Sequence, residues 1–179
     1  MPHPQPRFVS VGQDDPLAQP LLAELAVEYA GRYGGTEERV MKWLRSVPSD
    51  AFAPPSGGLL IGLVGEQPVT GGGFCRFDYD TAELKRIWTD SRFRRRGHAR
   101  ALLAALEAEI AARGYRRVYL MTGDRQPEAE ALYSATGYTR LDEPLPADGE
   151  VFPVAFAKTL DGHPSQIDAA DSEDTEVGM

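Results

Sequence analysis

The chain has 179 residues, 42% of them hydrophobic, which is ordinary for a globular protein and predicts one folded domain. No apolar run approaches the roughly 18 residues that cross a membrane, and the first residues lack the basic and apolar parts of a secretory signal. We therefore expect a cytoplasmic protein that does not bind membranes. Cys75 is the only cysteine, so a disulfide within the chain is excluded.

The net charge of -8 is concentrated near the carboxyl terminus. Residues 161–179 contain six acidic residues and no lysine or arginine, a composition typical of disordered segments. We therefore predict a folded domain at residues 7–160 and an acidic tail at 161–179. The near-neutral domain argues against nucleic-acid binding, and the arginines at residues 92–100 indicate a local positive site rather than a basic stripe.

The first 77 residues predict three strands and two helices. Apolar residues recur at helical spacing over residues 16–33, and Gly34 and Gly35 end that helix. The other predicted elements are a strand at 7–11, a helix at 36–47, and the strands 59–64 and 69–77 of a hairpin. The three glycines at positions 71–73 continue as strand, which predicts close packing or a bulge rather than a phosphate loop.

A strand, a basic turn and a helix follow at residues 83–113. Ile87, Trp88 and Thr89 are typical of a strand, and apolar residues at three- and four-residue spacing from His98 onward predict the helix. The turn between them has the sequence RRRGHA and consists of Arg94, Arg95, Arg96, Gly97, His98 and Ala99. A helix N-terminus has unpaired N–H groups and a partial positive charge, so this turn predicts a site for a di- or triphosphate-like anion.

The remaining elements complete a mixed sheet. Residues 116–122 predict a buried strand, and a strand, helix, strand connection of this kind makes it parallel to the strand at 83–89. A short helix at 129–135, a cap at Gly137 and a closing hairpin of strands at 138–141 and 151–160 follow. The predicted fold class is therefore α/β (α+β).

Two motifs in these elements, RRRGHA at 94–99 and QPEAEALYSATGY at 126–138, together carry a family resemblance. The first fits the R/Q-x-x-G-x-G/A loop of the GNAT superfamily of acyl-CoA-dependent N-acetyltransferases. The second resembles the later family signature N-x-x-A-x-x-L-Y-x-x-x-G-F/Y. The resemblance implies a single-domain GNAT-like fold with a mixed, mostly antiparallel sheet that is flanked by helices. Its parallel central strands are expected to splay apart and hold CoA between them.

The resemblance also implies how acetyl-CoA is bound. The strands are expected to part beyond Trp88 and Met121, which leaves backbone groups free for the pantetheine arm. The implied cofactor contacts are Ile87, Trp88, Thr89, Arg94, Arg95, Arg96, Gly97, His98, Ala99, Gln126 and Tyr133. Gln126 stands where the family has asparagine, and this departure leaves its contact with the arm open. The three histidines are too scattered for a metal site, so no metal is expected.

Acyl transfer to an amine needs a base for the ammonium substrate and an acid for the departing thiolate. Glu83, at the start of the central strand, is the candidate base. The resemblance implies that the Tyr133 hydroxyl protonates the thiolate. The alternatives are that Glu83 is a surface residue paired with Lys85 or Arg76, and that Tyr133 has a packing role.

The implied function is direct transfer of an acetyl group from acetyl-CoA to the amine of a small molecule in a ternary complex. The alternative from another class is a non-catalytic acyl-CoA sensor or interaction module, which would need the RRRGHA turn but neither Glu83 nor Tyr133. The expected partner is the amine substrate, with neither nucleic acid nor a membrane. A homodimer is left open.

Overall fold

The computed structural model describes residues 3–147 and 151–160, and every helix and strand predicted within them is present. The elements in chain order are β1 (Arg7–Ser10), α1 (Gln19–Tyr33), α2 (Glu37–Ser46), β2 (Gly58–Val64), β3 (Gln67–Arg76), β4 (Thr81–Thr89), α3 (His98–Ala112), β5 (Arg117–Thr122), α4 (Pro127–Ala135), β6 (Thr139–Arg140) and β7 (Val154–Thr159). The first helix begins at Gln19 rather than Pro16, because Pro16–Ala18 forms a 3₁₀ turn. The tail predicted at 161–179 lies outside the described residues.

The seven strands form one sheet in the order β1-β2-β3-β4-β5-β7-β6. β4 and β5 run parallel, and the other neighbouring strands pair antiparallel. Helix α3 makes the crossover between the parallel strands, as a parallel connection requires. The predicted fold class, a mixed and mostly antiparallel sheet with one central parallel pair, is therefore confirmed.

Helices cover both faces of the sheet and create two apolar layers. On one face α3 buries Leu102, Leu106 and Ile110. On the other face α1 buries Leu21 and Leu25. Each such side chain contributes roughly 1.5–3 kcal/mol relative to an exposed position. Within the described residues, none of the helices combines the length and the apolar character needed to cross a bilayer.

The pairing of β3 with β4 is interrupted by a β-bulge. Gly71 lies opposite Trp88, and Gly73 lies opposite Lys85. Two residues of β4 therefore face the single Gly72. The glycine run predicted close packing or a bulge, and the bulge is confirmed. The extra residue belongs to β4 rather than to the glycine strand.

The bulge changes which β4 side chains share a face of the sheet. Arg86, within the bulge, has a left-handed φ of 63°, which is uncommon for a residue other than glycine. Leu84 and Trp88 are four residues apart and would share one face of a regular strand. They instead pack in opposite layers, Leu84 toward α3 and Trp88 toward α1. One inserted residue accounts for this reversal.

Replacing Gly71 by alanine is expected to destabilise the protein by about 1–3 kcal/mol, as overpacking of a core does. A Cβ at this position would lie 2.7 Å from Ile61 Cδ1 and 3.0 Å from both Leu21 Cδ1 and the Leu60 carbonyl oxygen. Urea unfolding measures the change. Gly31→Ala is the matched control, because a Cβ there meets nothing within 4 Å and alanine in helix α1 should stabilise by roughly 0.5–1 kcal/mol. Equal stability of the two variants would contradict the packing.

Candidate functional site

The parallel ladder between β4 and β5 is short and opens into a wedge. It covers three residue pairs and ends at Glu83 opposite Tyr119, although both strands continue for several residues. The separation predicted beyond Trp88 and Met121 therefore begins earlier than expected. A β-bulge bends its strand and increases the local twist, which accounts for the early separation.

A cavity of about 910 Å³ occupies this wedge. Its walls come from α1, α2, β4, the RRRGHA turn, β5 and α4. The predicted site residues that line it are Glu83, Ile87, Trp88, Thr89, Arg94, Arg95, Gly97, His98, Ala99, Gln126 and Tyr133. Arg96 is not among them, and its guanidinium lies 5.1 Å from the centre of the Phe93 ring. Arg100 also lines the cavity; it belongs to the basic run at 92–100 but was not among the predicted cofactor contacts.

The RRRGHA turn ends in an open helix N-terminus. Gly97 is the N-cap of α3 with φ 81°, and it provides no side-chain hydrogen bond to the helix. The first turn of α3 contains no acidic residue. Arg95 is also left-handed, with φ 64°. Gly97 is left-handed and the helical residues after it are right-handed, an arrangement that directs successive N–H groups to one side and can form an anion-binding concavity.

The arginines around this N-terminus differ in their partners. Arg94 reaches α1, where its Nη2 lies 3.7 Å from Glu28 Oε1 and 3.9 Å from Glu24 Oε1. Arg95 and Arg100 form no ion pair with any residue in the described part of the chain. These two guanidinium groups can therefore neutralise an anion at the turn, in bidentate geometry if the anion is a phosphate.

His98 lies at the first position of α3 and is buried. Burial lowers the pKa of its imidazole, and the neighbouring charges of Arg96 and His3 lower it further. Its Nδ1 is buried and has no hydrogen-bond partner among the described residues. The imidazole is therefore neutral at neutral pH, and its contribution to an anion site would be a hydrogen bond rather than a charge.

Only some peptide groups of β4 are available to a ligand in the wedge, because others bond to β3. The Thr70 hydroxyl on β3 donates a 2.7 Å hydrogen bond to the Trp88 carbonyl, and Asp90 N donates to Val69 O at 2.9 Å. Both groups are therefore directed to β3. Because successive carbonyls along a strand point to opposite edges, we expect those of Ile87 and Thr89 to face the wedge, where the Thr89 carbonyl accepts a 3.5 Å hydrogen bond from Arg94 Nε.

Glu83 lies where the two strands part. It is only 8% exposed, and its Oε1 is 3.8 Å from Lys85 Nζ. Burial raises the pKa of the Glu83 carboxyl, and Lys85 partly opposes the rise. The pairing with Lys85 was one predicted alternative, but a surface position is wrong because Glu83 is buried on the cavity wall. A carboxylate with a raised pKa is a better proton acceptor than an exposed one.

Tyr133 lies in α4 with its ring buried against Tyr138 and Phe156, and each pair of ring centroids is 5.6 Å apart. It is 5% exposed and lines the cavity. Burial raises the pKa of its phenol, and the nearby Tyr29 adds to the rise. The hydroxyl therefore keeps its proton at neutral pH, which is the state that a proton donor requires.

The carboxyl end of α1 contacts the start of α4 across the wedge. Gln126 Nε2 donates to the Tyr33 hydroxyl at 3.0 Å, so the predicted cofactor contact of Gln126 has a competing partner. Arg32 bonds Glu128 Oε1 and the Arg125 carbonyl, both at 2.8 Å. These contacts join residues more than 90 positions apart, and no local pattern in the sequence indicates them.

Comparisons with known proteins agree with this geometry. The profile described as "Acetyltransferase (GNAT) family" matches residues 20–138, about two thirds of the chain. A search of curated proteins found no match. Among solved structures, the chain resembles a GNAT acetyltransferase from Staphylococcus aureus Mu50 (TM-score 0.68, 15% identity, covering 87% of this chain and 99% of that one).

Two further similar structures contain coenzyme A. One is the PaiA N-acetyltransferase of Thermoplasma acidophilum (TM-score 0.67, 15% identity, 88% and 100% coverage). The other is an aminoglycoside 6'-N-acetyltransferase (TM-score 0.66, 18% identity, 88% and 99% coverage). At these identities the structures support the fold, whereas the profile match covers most of the chain. On that match and the splayed β4–β5 wedge, the chain belongs to the GNAT family of acetyltransferases.

Proposed function

We propose that the chain is an N-acetyltransferase, which transfers an acetyl group from acetyl-CoA to the amine of a small molecule in a ternary complex. The observation that carries this proposal is the continuity of one cavity. It reaches from the open N-terminus of α3, along the wedge, to Glu83 and Tyr133. An anion site, a slot for an extended chain and two proton-transfer groups are what an acyl-CoA and an amine require together.

The proposed cofactor position follows from two parts of the cavity, the N-terminus of α3 and the main chain of β4. The pyrophosphate would accept hydrogen bonds from the N–H groups of residues 97–99, with Arg95 and Arg100 supplying positive charge. The pantetheine arm would lie along β4 and bond the peptide groups of Ile87 and Thr89 in the manner of an added strand. The thioester would then lie deep in the wedge, near Tyr133. No metal is needed, and among the described residues no cluster of three or more potential ligands could hold one.

The proposed reaction involves three proton transfers. An amine has a pKa of about 10 and enters largely protonated, so Glu83 takes one proton from it, directly or through water. The neutral nitrogen attacks the thioester carbonyl carbon, a C–N bond forms, the nitrogen loses its second proton to water, and the C–S bond breaks. Tyr133 donates its proton to the departing thiolate, and exchange with solvent returns Glu83 to its carboxylate and Tyr133 to its phenol. The products are the N-acetylated amine and CoA.

Thiol release from acetyl-CoA, measured with a panel of amines, amino acids, polyamines and aminoglycosides, tests the proposal. A CoA-induced thermal shift is measured beside it. We expect a shift and turnover of at least one amine. A shift with no turnover of any amine would favour the non-catalytic sensor. The absence of both a thermal shift and turnover would overturn the cofactor site.

Replacing Glu83 by glutamine is expected to slow acetyl transfer by roughly 10²- to 10⁴-fold, the usual contribution of a general base. The wild-type rate should fall as the pH falls through the raised pKa of Glu83, because only the carboxylate accepts a proton. The limb at this pKa should be absent in Glu83→Gln, whose remaining pH dependence should follow the pKa of the amine. The pH dependence of kcat with one amine measures both effects.

The matched control is Glu66→Gln, which makes the same chemical change at an exposed position in the turn between β2 and β3. It should keep the wild-type rate and acid limb. If Glu83→Gln kept them as well, Glu83 would not be the base, and its role would be confined to the ion pair with Lys85.

A further inference from the structure

The β4 wall of the cavity carries more positive than negative charge near Glu83. The bulge places two consecutive basic side chains, Lys85 and Arg86, on the same face as Glu83. Lys85 pairs with Glu83, and the Arg86 side chain crosses to α2, where it bonds the Leu44 carbonyl. All three residues line the cavity. One carboxylate and two cations leave an excess of one positive charge on this wall.

The Cys75 thiol of the neighbouring strand lies close to all three of these charges. Cys75 of β3 lies opposite Glu83 in the sheet. Burial raises the pKa of the Cys75 thiol to about 11, Glu83 adds to the rise, and the charges of Lys85 and Arg86 oppose it. All three charged groups are therefore close enough to one thiol to act on it.

Arg86 is a buried cation without a carboxylate partner in the described part of the chain. It is 8% exposed, and its guanidinium bonds two neutral acceptors, Gln13 Oε1 at 2.5 Å and the Leu44 carbonyl. It also lies 4.8 Å from the centre of the Phe52 ring. Buried charges are normally paired. Burial lowers the pKa of Arg86 to about 10, so the group is still charged at neutral pH.

The Arg86 guanidinium lies near the cavity wall as well as in the core. Burial raises the pKa of the cavity-lining Tyr29 to about 12, and the charge of Arg86 opposes that rise, which places the two groups near each other. An arginine has five N–H donors, more than the two acceptors seen here can use. Arg86 therefore has both charge and hydrogen-bonding capacity for an anion in the cavity.

The cavity also has an aromatic wall, which lies across from this basic wall. Tyr29 and Trp43 have ring centroids 6.3 Å apart, and Trp43 and Phe152 follow at 6.2 Å. All three rings line the cavity, and Trp43 is 41% exposed. The ring planes are inclined to one another by 57° and 74°, so the three rings form an angled apolar wall that an aromatic or aliphatic side chain can pack against. Tyr33 extends the surface toward α4.

We propose that the acceptor is an amino acid with an aromatic or other apolar side chain. Its carboxylate would bind Lys85 and Arg86, its amine would lie at Glu83, and its side chain would pack on Tyr29, Trp43 and Phe152. The inference rests on the proposed acetyl transfer and narrows its substrate class. Lys85 can bridge the Glu83 carboxylate and the substrate carboxylate, because its ammonium has three donors. The substrate would supply the negative charge that this wall lacks.

The test compares each apolar and aromatic amino acid with its own amide as acceptor, at saturating acetyl-CoA. The amide keeps the amine and the side chain and loses the charge. We expect kcat/KM for the best acid to exceed that of its amide by roughly 10- to 100-fold, as charged hydrogen bonds allow. Equal or better use of amides, or turnover confined to amines without a carboxylate, would overturn the inference and leave acetyl transfer intact. No turnover of any amine despite CoA binding would count against acetyl transfer itself, and the inference would fall with it.

Lys85→Gln and Arg86→Gln separate recognition from a structural role. Loss of a carboxylate site should lower kcat/KM for the acid more than for the amide, whereas general damage lowers both alike. Lys42→Gln, at an exposed position of α2 away from the cavity, should leave the acid-to-amide ratio unchanged. Arg86 supports α2, so its variant can fail to fold. Lys85 is partly exposed, and its variant then carries the test alone. An unchanged acid-to-amide ratio of kcat/KM in Lys85→Gln would overturn the proposed carboxylate site.

Discussion

Replacing Gly97 by glutamate is expected to abolish CoA binding. Gly97 is the N-cap of α3 with φ 81°, and its backbone forms part of the proposed pyrophosphate site. A glutamate side chain would occupy that site and place a carboxylate against the phosphates. Opposed like charges at an interface cost several kcal/mol, so Kd should rise at least about 100-fold. Isothermal titration with CoA measures the effect.

The control for this variant is Gly114→Glu, at the other end of the same helix. Gly114 also has a left-handed φ, of 95°, and a Cβ at either glycine meets nothing within 4 Å. Both variants therefore carry the same added charge and a similar backbone strain of roughly 1–2 kcal/mol. Only Gly97→Glu should lose CoA. Equal affinities in the two variants would show that the RRRGHA turn is not the phosphate site.

Replacing Tyr133 by phenylalanine is expected to leave CoA binding intact and to slow turnover by roughly 100-fold or more, the usual contribution of a general acid. The variant keeps the ring that packs on Tyr138 and Phe156 and removes only the hydroxyl. Steady-state kcat with a saturating amine measures the loss. The defect should be smaller with an acyl donor whose thiolate is a better leaving group, because such a donor needs less help from an acid.

Tyr138→Phe provides a matched comparison within the same aromatic cluster. The Tyr138 hydroxyl donates to Glu107 Oε2 at 3.0 Å, so its removal should cost about 1 kcal/mol of stability and leave kcat unchanged. If Tyr133→Phe resembled Tyr138→Phe in rate, Tyr133 would have the packing role that was the predicted alternative.

Local patterns in the sequence predicted most of the fold. Period-two and period-3.6 spacing located the strands and helices, because each element buries one face. The parallel pair followed from the crossover rule. The RRRGHA turn was recognisable because one glycine and the helix start after it are adjacent in the chain. The structure places Gly97 at the helix N-cap with a left-handed φ.

The structure differs from the sequence-based predictions where segments that are distant in the chain meet. The glycine run indicated a bulge, but whether β3 or β4 holds the extra residue depends on their pairing. As a result Arg86 was not singled out, and Lys85 was considered only as a partner of Glu83. The contact of Gln126 with Tyr33 joins α4 to α1 across the wedge. The partners of individual side chains in such contacts depend on packing that no sequence window contains.

The most direct test of the proposed reaction follows the acetyl group itself. The purified chain is incubated with acetyl-CoA labelled at the acetyl carbonyl and with the best amine, and the label is followed by NMR. We expect the thioester signal to be replaced by an amide signal at the rate of thiol release, with no label on the protein. Label that appears only in free acetate, remains in the thioester with every amine, or is found covalently on the protein would contradict direct transfer to an amine.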